Sequence, residues 1–239
     1  MNDPFDIILQ DSLKKCDLNI TPAAREKLGI YYHLLIEWNE RMNLTALTSA
    51  EDVACKHFCD SLTLLKYEII PENATLIDVG TGAGFPGMAL KAARPDLRVT
   101  LLDSLNKRLI FLSEVCREMG ADDVRLIHSR AEDAGREEEY REKYDYAVSR
   151  AVAPLNVLCE YCLPFVKLGG MFLAMKGKDA EEELSSAQNA IRALGAEVER
   201  IHTFELPDAG QRSIIALRKT APTPALYPRS GKKIRNKPI

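Results

Sequence analysis

The segment Asp78-Val-Gly80-Thr-Gly82-Ala-Gly84-Phe85-Pro-Gly87 packs four glycines and one acid into ten residues, directly after the apolar pair Leu76-Ile77. Glycine tolerates positive φ and lets a backbone approach a ligand that a Cβ would block. A helix starting beyond such a turn adds unpaired N–H donors. Gly82-x-Gly84-x-x-Gly87 alone matches the general nucleotide fingerprint, a pattern of low specificity. Asp103, with Ser104 beside it, follows the next apolar run, at the distance where an acid accepts hydrogen bonds from ribose hydroxyls. Ser129-Arg130-Ala131-Glu132-Asp133 follows a third run; there an acidic side chain accepts from an adenine amino group while Ala131 leaves room for the ring.

These residues need elements to carry them. From residue 74 short apolar runs alternate with amphipathic stretches, predicting strands over 75–79, 99–102, 124–127, 144–148 and 171–175, with helices over 86–93, 106–119, 154–166 and 179–194. Alternating β and α units imply a mostly parallel sheet covered on both faces, with ligands in the crevice at the carboxyl ends of the strands. Two β-rich runs, 197–204 and 212–218, have no helix-length segment between them and predict an antiparallel edge hairpin. The first seventy residues read as helices: Thr21-Pro22 is an N-cap with proline at the first helical position, followed by Leu28, Tyr31, Tyr32, Leu35 and Trp38 at helical spacing. Residues 39–45 read as a polar connection, and a second helix is expected over 49–67 with Val53, Phe58, Leu62 and Leu65 inward. The expected organisation is a helical section over 1–70, a ligand-binding α/β domain over 71–220 and a basic tail over 221–239.

Two details turn the glycine motif from NAD toward S-adenosyl-L-methionine. Asp78 stands two residues before the first glycine, and this cofactor carries an ammonium group, not a pyrophosphate, for an acid and carbonyls to hold. Leu168-Gly169-Gly170 precedes the fifth predicted strand, a turn common in methyltransferase sheets, and the edge hairpin points the same way. An NAD-dependent dehydrogenase remains an alternative, although no second catalytic domain is evident, as does a cofactor-binding module without turnover. On the acceptor side, Tyr144-Asp-Tyr-Ala-Val-Ser149-Arg150-Ala151 lacks the Asn/Asp-Pro-Pro-aromatic loop used on exocyclic amines and the thiol used on pyrimidine carbons. Lys176 would suit ribose methylation, but Ser149 stands where an acid is needed. A ring nitrogen such as guanine N7 has a free lone pair at neutral pH, so placement and electrostatics suffice.

Hydrophobic residues at 46% and charged residues at 28% suit a core-forming globular chain of 239 residues. No run approaches the ~18 apolar residues of a membrane span, and the acidic, polar start is no secretory signal, so a cytoplasmic monomer is expected. Cys16, Cys55, Cys59, Cys116, Cys159 and Cys162 lack zinc-site spacing and read as buried thiols, with no metal. The net charge of −3 does not announce a nucleic-acid binder. The basic residues are uneven, however: Arg41, Arg150, Lys176, Lys178, Arg212 and the acid-free tail (Arg229, Lys232, Lys233, Arg235, Lys237) are candidates for one phosphate-binding face. His57 reads as a packing histidine, and Asn43 is placed toward the crevice.

Taken together these motifs resemble the bacterial small-subunit rRNA guanine-N7 methyltransferases of the GidB family. The resemblance spans nearly the whole chain: Tyr31-Tyr32, Glu37-Trp38-Asn39, Met42-Asn43-Leu44-Thr45, Lys56-His57-Phe58, Asp60-Ser61-Leu62, the glycine segment with Phe85-Pro86-Gly87, Asp103-Ser104, Lys107-Arg108, Arg130-Ala131-Glu132, Ser149-Arg150-Ala151, Tyr227-Pro228-Arg229 and Asn236-Lys-Pro-Ile239. It implies a class I methyltransferase fold, Rossmann-like, with a seven-stranded sheet. It implies methylation of one guanine N7 in the decoding-region loop of 16S rRNA, within the small ribosomal subunit or an assembly intermediate. Cofactor contacts are expected at Asp78, Gly80, Gly82, Gly84, Phe85, Asp103, Ser104, Ala131, Glu132 and Arg150. Arg130, Arg150, Lys176, Arg212 and Asn43 are candidates for positioning the guanine and its phosphates. Between Arg229 and Asn236 the chain is more basic than the family's usual turn.

Overall fold

A computed structural model describes residues 3–150 and 153–239. Helix α1 (Pro4–Lys15) is capped by Asp3, whose Oδ1 accepts from the Phe5 amide at 3.0 Å. Helix α2 (Pro22–Met42) begins as its Thr21-Pro22 signal predicts, with Thr21 Oγ1 accepting from the Ala24 amide. It does not stop at residue 39. Trp38 and Asn39 lie within it, and it ends only at Asn43, whose left-handed backbone (φ 49°) returns its amide to the Asn39 carbonyl. Ser49 caps the next helical path. That path is not uniform: α3 (Ala50–Asp52) passes into a π-helical segment, Val53–Cys59, before α4 (Asp60–Tyr67). Val53, Phe58 and Leu62 are buried as expected, but Leu64 takes the inward place expected of Leu65, which is half-buried.

Then come β1 (Thr75–Val79), α5 (Gly87–Ala93), β2 (Arg98–Asp103), α6 (Asn106–Glu118), β3 (Arg125–His128), α7 (Ala131–Ala134) and β4 (Tyr144–Arg150). Helix α8 (Leu155–Cys162) ends in a 3₁₀ turn over Leu163–Phe165, where Pro164 stops it short of the expected 166. β5 (Val166–Lys176), α9 (Ala180–Ala193), β6 (Ala196–Leu206) and β7 (Gly210–Lys219) complete the sheet. Its order is β3-β2-β1-β4-β5-β7-β6; the first five strands pair in parallel, while β7 runs antiparallel to β5 and β6. Gly169-Gly170 lies inside β5, not before it. The β4–β5 register shifts there, and a Cβ on Gly170 would come 2.6 Å from the Asp145 carbonyl.

Strand periodicity sorts two cores. Leu76 of β1 and Met171, Leu173 and Met175 of β5 face one side, with Leu9, Leu28, Phe58, Leu90 and Phe111; the N-terminal helices thus share a core with α5 and α6. Ile77, Val79, Phe172 and Ala174 face the other, with Leu158 and Ile191 from α8 and α9. The segment after β7 is held down. Arg141 donates to the carbonyls of Thr223 (2.7 Å) and Tyr227 (2.9 Å), Arg229 chelates Glu160, and a short helix α10 (Gly231–Asn236) buries Ile234. Among the described residues no helix is long and apolar enough to cross a membrane.

Candidate functional site

The sheet order reverses between β1 and β4, and the glycine loop leaves β1 at that crevice. The Gly80 and Thr81 amides donate to the Leu102 carbonyl at 2.9 and 3.1 Å, which folds the loop over the end of β2. Gly80, Gly82 and Gly84 all have positive φ. A Cβ on Gly82 would meet only the Gly80 carbonyl, at 4.0 Å, leaving open space for a ligand. A Cβ on Gly84 would overlap the Tyr31 hydroxyl and come 2.6 Å from Leu112. Gly84 therefore serves the approach of α2 and α6 to the loop and is not in the cleft wall. Tyr31, fully buried, donates its hydroxyl to the Ala83 carbonyl and stacks on Phe85.

Asp78 is likewise placed differently from its expected contact with a cofactor ammonium. Its side chain is sealed under the loop: Oδ2 accepts from Thr81 Oγ1 (2.7 Å) and from the Gly87 amide (2.8 Å), while buried Oδ1 has no partner. Burial pushes its pKa up to about 6 against the lowering pull of those two donors. Asp78 shapes the loop from behind.

The cleft in front has a volume of about 590 Å³, within the ~300–1,000 Å³ typical of small-molecule sites. Of the expected contacts, Gly80, Gly82, Phe85, Asp103, Ser104, Ala131, Glu132 and Arg150 line it, and Arg130 stands with them. Asp103 accepts from the Gly82 amide and the Leu105 amide, both at 2.9 Å, and pairs with Arg108 at 3.1 Å. It therefore ties the glycine loop to β2 while forming part of the wall. The residues present suit S-adenosyl-L-methionine: an open glycine loop at one end, Asp103 and Ser104 midway, and Glu132 with little Ala131 at the other. Thr45, Tyr161 and Arg235 also line the cleft. They come from distant segments: Thr45 can be read from the sequence as a helix cap or a residue near the crevice and Arg235 as one of the tail's cations, while Tyr161 carries no signal.

A second cleft of about 590 Å³ adjoins the first, sharing His57, Arg150 and Ala153 with it. Phe85 carries this shared wall: His57 stacks on its ring at 4.5 Å and the Arg150 guanidinium lies 5.1 Å from its centroid. The π-helical segment turns the carbonyls of Lys56 and His57 toward Arg150, whose Nη1 donates to them at 3.0 and 3.4 Å and to Asp60 Oδ2 at 2.9 Å. Arg150 has no acceptor, so its 3.0 Å contact with His57 Nδ1 makes that nitrogen the acceptor. Nε2 then carries the proton toward Thr45 Oγ1 at 2.8 Å. Burial, with Arg150 adding to it, depresses the His57 pKa to about 3, so the ring is neutral.

The cations of this second cleft are not free, contrary to the basic face expected from the sequence. Lys176 pairs with Glu183 at 2.7 Å and donates to the Ala153 carbonyl; Arg212 Nε lies 3.5 Å from Asp60 Oδ1. Asp60 thus sits between two arginines, buried, with burial raising its pKa against their pull. Asn43 lies outside both clefts as the exposed cap of α2; its neighbours Leu44 and Thr45 reach the first. Ala151 lies outside the described residues. All six cysteines are buried free thiols, and no group of metal-binding side chains occurs among the described residues.

Comparison with known proteins agrees with this architecture. The family model "GidB: rRNA small subunit methyltransferase G" matches residues 24–215. Proteins called ribosomal RNA small subunit methyltransferase G are 49% identical in Alkaliphilus metalliredigens, covering 98% of both chains, and 48% identical in Desulforamulus reducens, covering 100% of both. Among solved structures, a 16S rRNA (adenine(1408)-N(1))-methyltransferase from Catenulisporales acidiphilia superposes with a TM-score of 0.53 at 16% identity, over 63% of this chain and 87% of that one. A putative methyltransferase from Haloferax volcanii, solved with its Trm112 activator, gives 0.55 at 14% identity, over 78% and 98%. These likenesses show the class I methyltransferase fold. With a family model covering most of the chain and relatives nearly half identical end to end, the chain belongs to the rRNA small subunit methyltransferase G family.

Proposed function

We propose that this protein transfers a methyl group from S-adenosyl-L-methionine to N7 of a single guanine in the decoding-region loop of 16S rRNA. On this reading the cofactor lies in the glycine-loop cleft, where it supplies an electrophilic sulfonium methyl, and the acceptor base enters the adjoining cleft. Gly80 and Gly82 leave room for the amino-acid end, Asp103 and Ser104 face the ribose, and Ala131 with Glu132 receives the adenine. Phe85, His57 and Arg150 form the wall across which methyl and acceptor meet.

The observation that carries the reading is the absence, among the described residues, of an available base on that wall. His57 is neutral but its lone pair is taken by Arg150, Glu183 is paired with Lys176, and Asp60 is shared by two arginines. A nucleophile that must lose a proton before attack has nothing to receive it there, whereas N7 attacks with a lone pair already free. The chain's own work is then to hold the ring in line, and the rigid stack on Phe85 supports that. The same reading makes the protein a cytoplasmic monomer acting on the small subunit or an assembly intermediate. Residues 1–70 serve as a helical section packed on the 71–220 methyltransferase domain, with 221–239 as its tail.

The test is incubation with tritiated cofactor and 30S subunits or 16S rRNA lacking the modification, followed by mass mapping. One labelled guanine that yields to N7-specific strand cleavage is expected. Label on an exocyclic amine or on ribose would overturn the assignment of the atom.

A further inference from the structure

The cations of the second cleft and those around the mouth of the first differ in one respect. Lys56, Arg150, Lys176 and Arg212 each sit within ion-pair distance of Asp52, Asp60 or Glu183. Arg130, Lys232, Lys233, Arg235 and Lys237 are exposed, and none has an ion-pair partner among the described residues. Glu132 abuts Gly231 next to Arg235 and belongs to the first cleft.

The fold places these rim cations deliberately. Arg229 is fastened to Glu160 by paired contacts of 2.7 and 2.9 Å, and its amide adds a third at 2.6 Å. Gly231 and Ile234 are buried, so α10 lies with its apolar side down and Lys232 and Lys233 outward, and Lys237, which follows the helix, is exposed as well. A side chain on Gly231 would collide with Glu132, and Arg235 reaches the first cleft itself. Helix α10 is thus seated against Glu132, two residues along the chain from Arg130, at the mouth of the first cleft. Lys232, Lys233 and Lys237 stand exposed with no acid paired to them among the described residues, and ordering like charges in this way costs free energy unless an external anion balances it.

We propose that the outer face of α10, together with Arg130, is the surface that holds the RNA backbone, through phosphates flanking the target base. The proposal rests on the rRNA-methylating function argued above. It divides the labour: the charge-balanced second cleft receives a neutral base, and the unbalanced rim of the first receives the polyanion. Phosphate contacts of this kind set position and salt dependence and carry no sequence information.

The test compares wild type with Lys232→Gln/Lys233→Gln/Lys237→Gln, which leaves Ile234, Gly231 and Arg235 in place. Binding of 16S rRNA is measured as a function of salt, and S-adenosylhomocysteine binding and melting temperature report on folding. The triple variant is expected to bind RNA at least tenfold more weakly near 0.15 M salt. Its log–log salt slope should be shallower by about two, near 0.7–0.9 per lost phosphate contact. Cofactor-product affinity should stay within twofold. The single Lys233→Gln change gives a smaller shift in the same direction if the triple variant folds poorly. An unchanged slope in a variant whose wild-type parent methylates 16S rRNA overturns the surface alone. A wild type that neither binds nor methylates rRNA overturns the functional reading beneath it, and binding to anionic vesicles in place of RNA overturns both.

Discussion

At the scale of single residues, glycines in one loop do opposite work. Gly82 faces open space while Gly84 is wedged against Tyr31 and Leu112. Gly82→Ala is expected to cost about 1 kcal/mol of stability, the penalty of a left-handed non-glycine residue, yet to abolish S-adenosylhomocysteine binding measured by calorimetry. Gly84→Ala should destabilise by about 3 kcal/mol or more through overpacking and backbone strain, visible as a lowered denaturation midpoint. His57 gives a pH signature. Its folded pKa, about 3, lies below its ordinary value, so the unfolded state takes up the proton first as pH falls. Stability from this group is therefore complete above about pH 6.5 and is lost toward pH 3, by at most about 1.4 kcal/mol per unit. Asp78 acts in the opposite sense, losing stability as pH rises through about 6. Subtracting the urea stability of His57→Gln from wild type at each pH cancels Asp78, and the difference should shrink as pH falls. A flat difference would contradict a buried neutral ring.

At the scale of elements, what was legible in the sequence was local. Thr21-Pro22 and Ser49 announce helix starts because a cap acts on amides two or three residues away. The strands show because burial alternates along them. The π-helical turn at 53–59 carries no such mark: it is set by Arg150, more than ninety residues later, drawing on the carbonyls of Lys56 and His57. The inward facing of Gly84 was hidden for the same reason, since Tyr31 and Leu112 lie on other elements; Asp78 meets Thr81 and the Gly87 amide close by in sequence, but only the folded loop turns its side chain to them. For the tail, composition shows its charge but not its anchor. That anchor yields a prediction. Arg229→Ala strands a fully buried Glu160 and should cost about 3–5 kcal/mol, while Arg229→Met/Glu160→Met recovers much of it. Denaturant unfolding of the single and double variants checks this.

At the scale of the whole molecule, the N-terminal helices are part of the same core as α5 and α6. They cover Met88, Leu90, Phe111 and Leu112, which a chain beginning at residue 71 would expose beside its glycine loop. Such a fragment is expected to show no cooperative thermal transition and no S-adenosylhomocysteine binding. A soluble fragment with a sharp transition would show that the sheet stands without them. The class of fold was readable from strand and helix alternation, but this sharing of a core was not, because contacts such as Tyr31 with Ala83 join segments over fifty residues apart.

Arg150 also sets how the sequence is free to drift over generations. It meets Lys56 only through the main chain, and the Lys56 side chain pairs instead with half-buried Asp52. Position 56 can therefore change in any lineage without disturbing the wall between the clefts. His57 and Asp60 meet Arg150 through their side chains. Those three positions are locked to one another, so a descendant that alters one inherits a broken wall until a matching second change arrives.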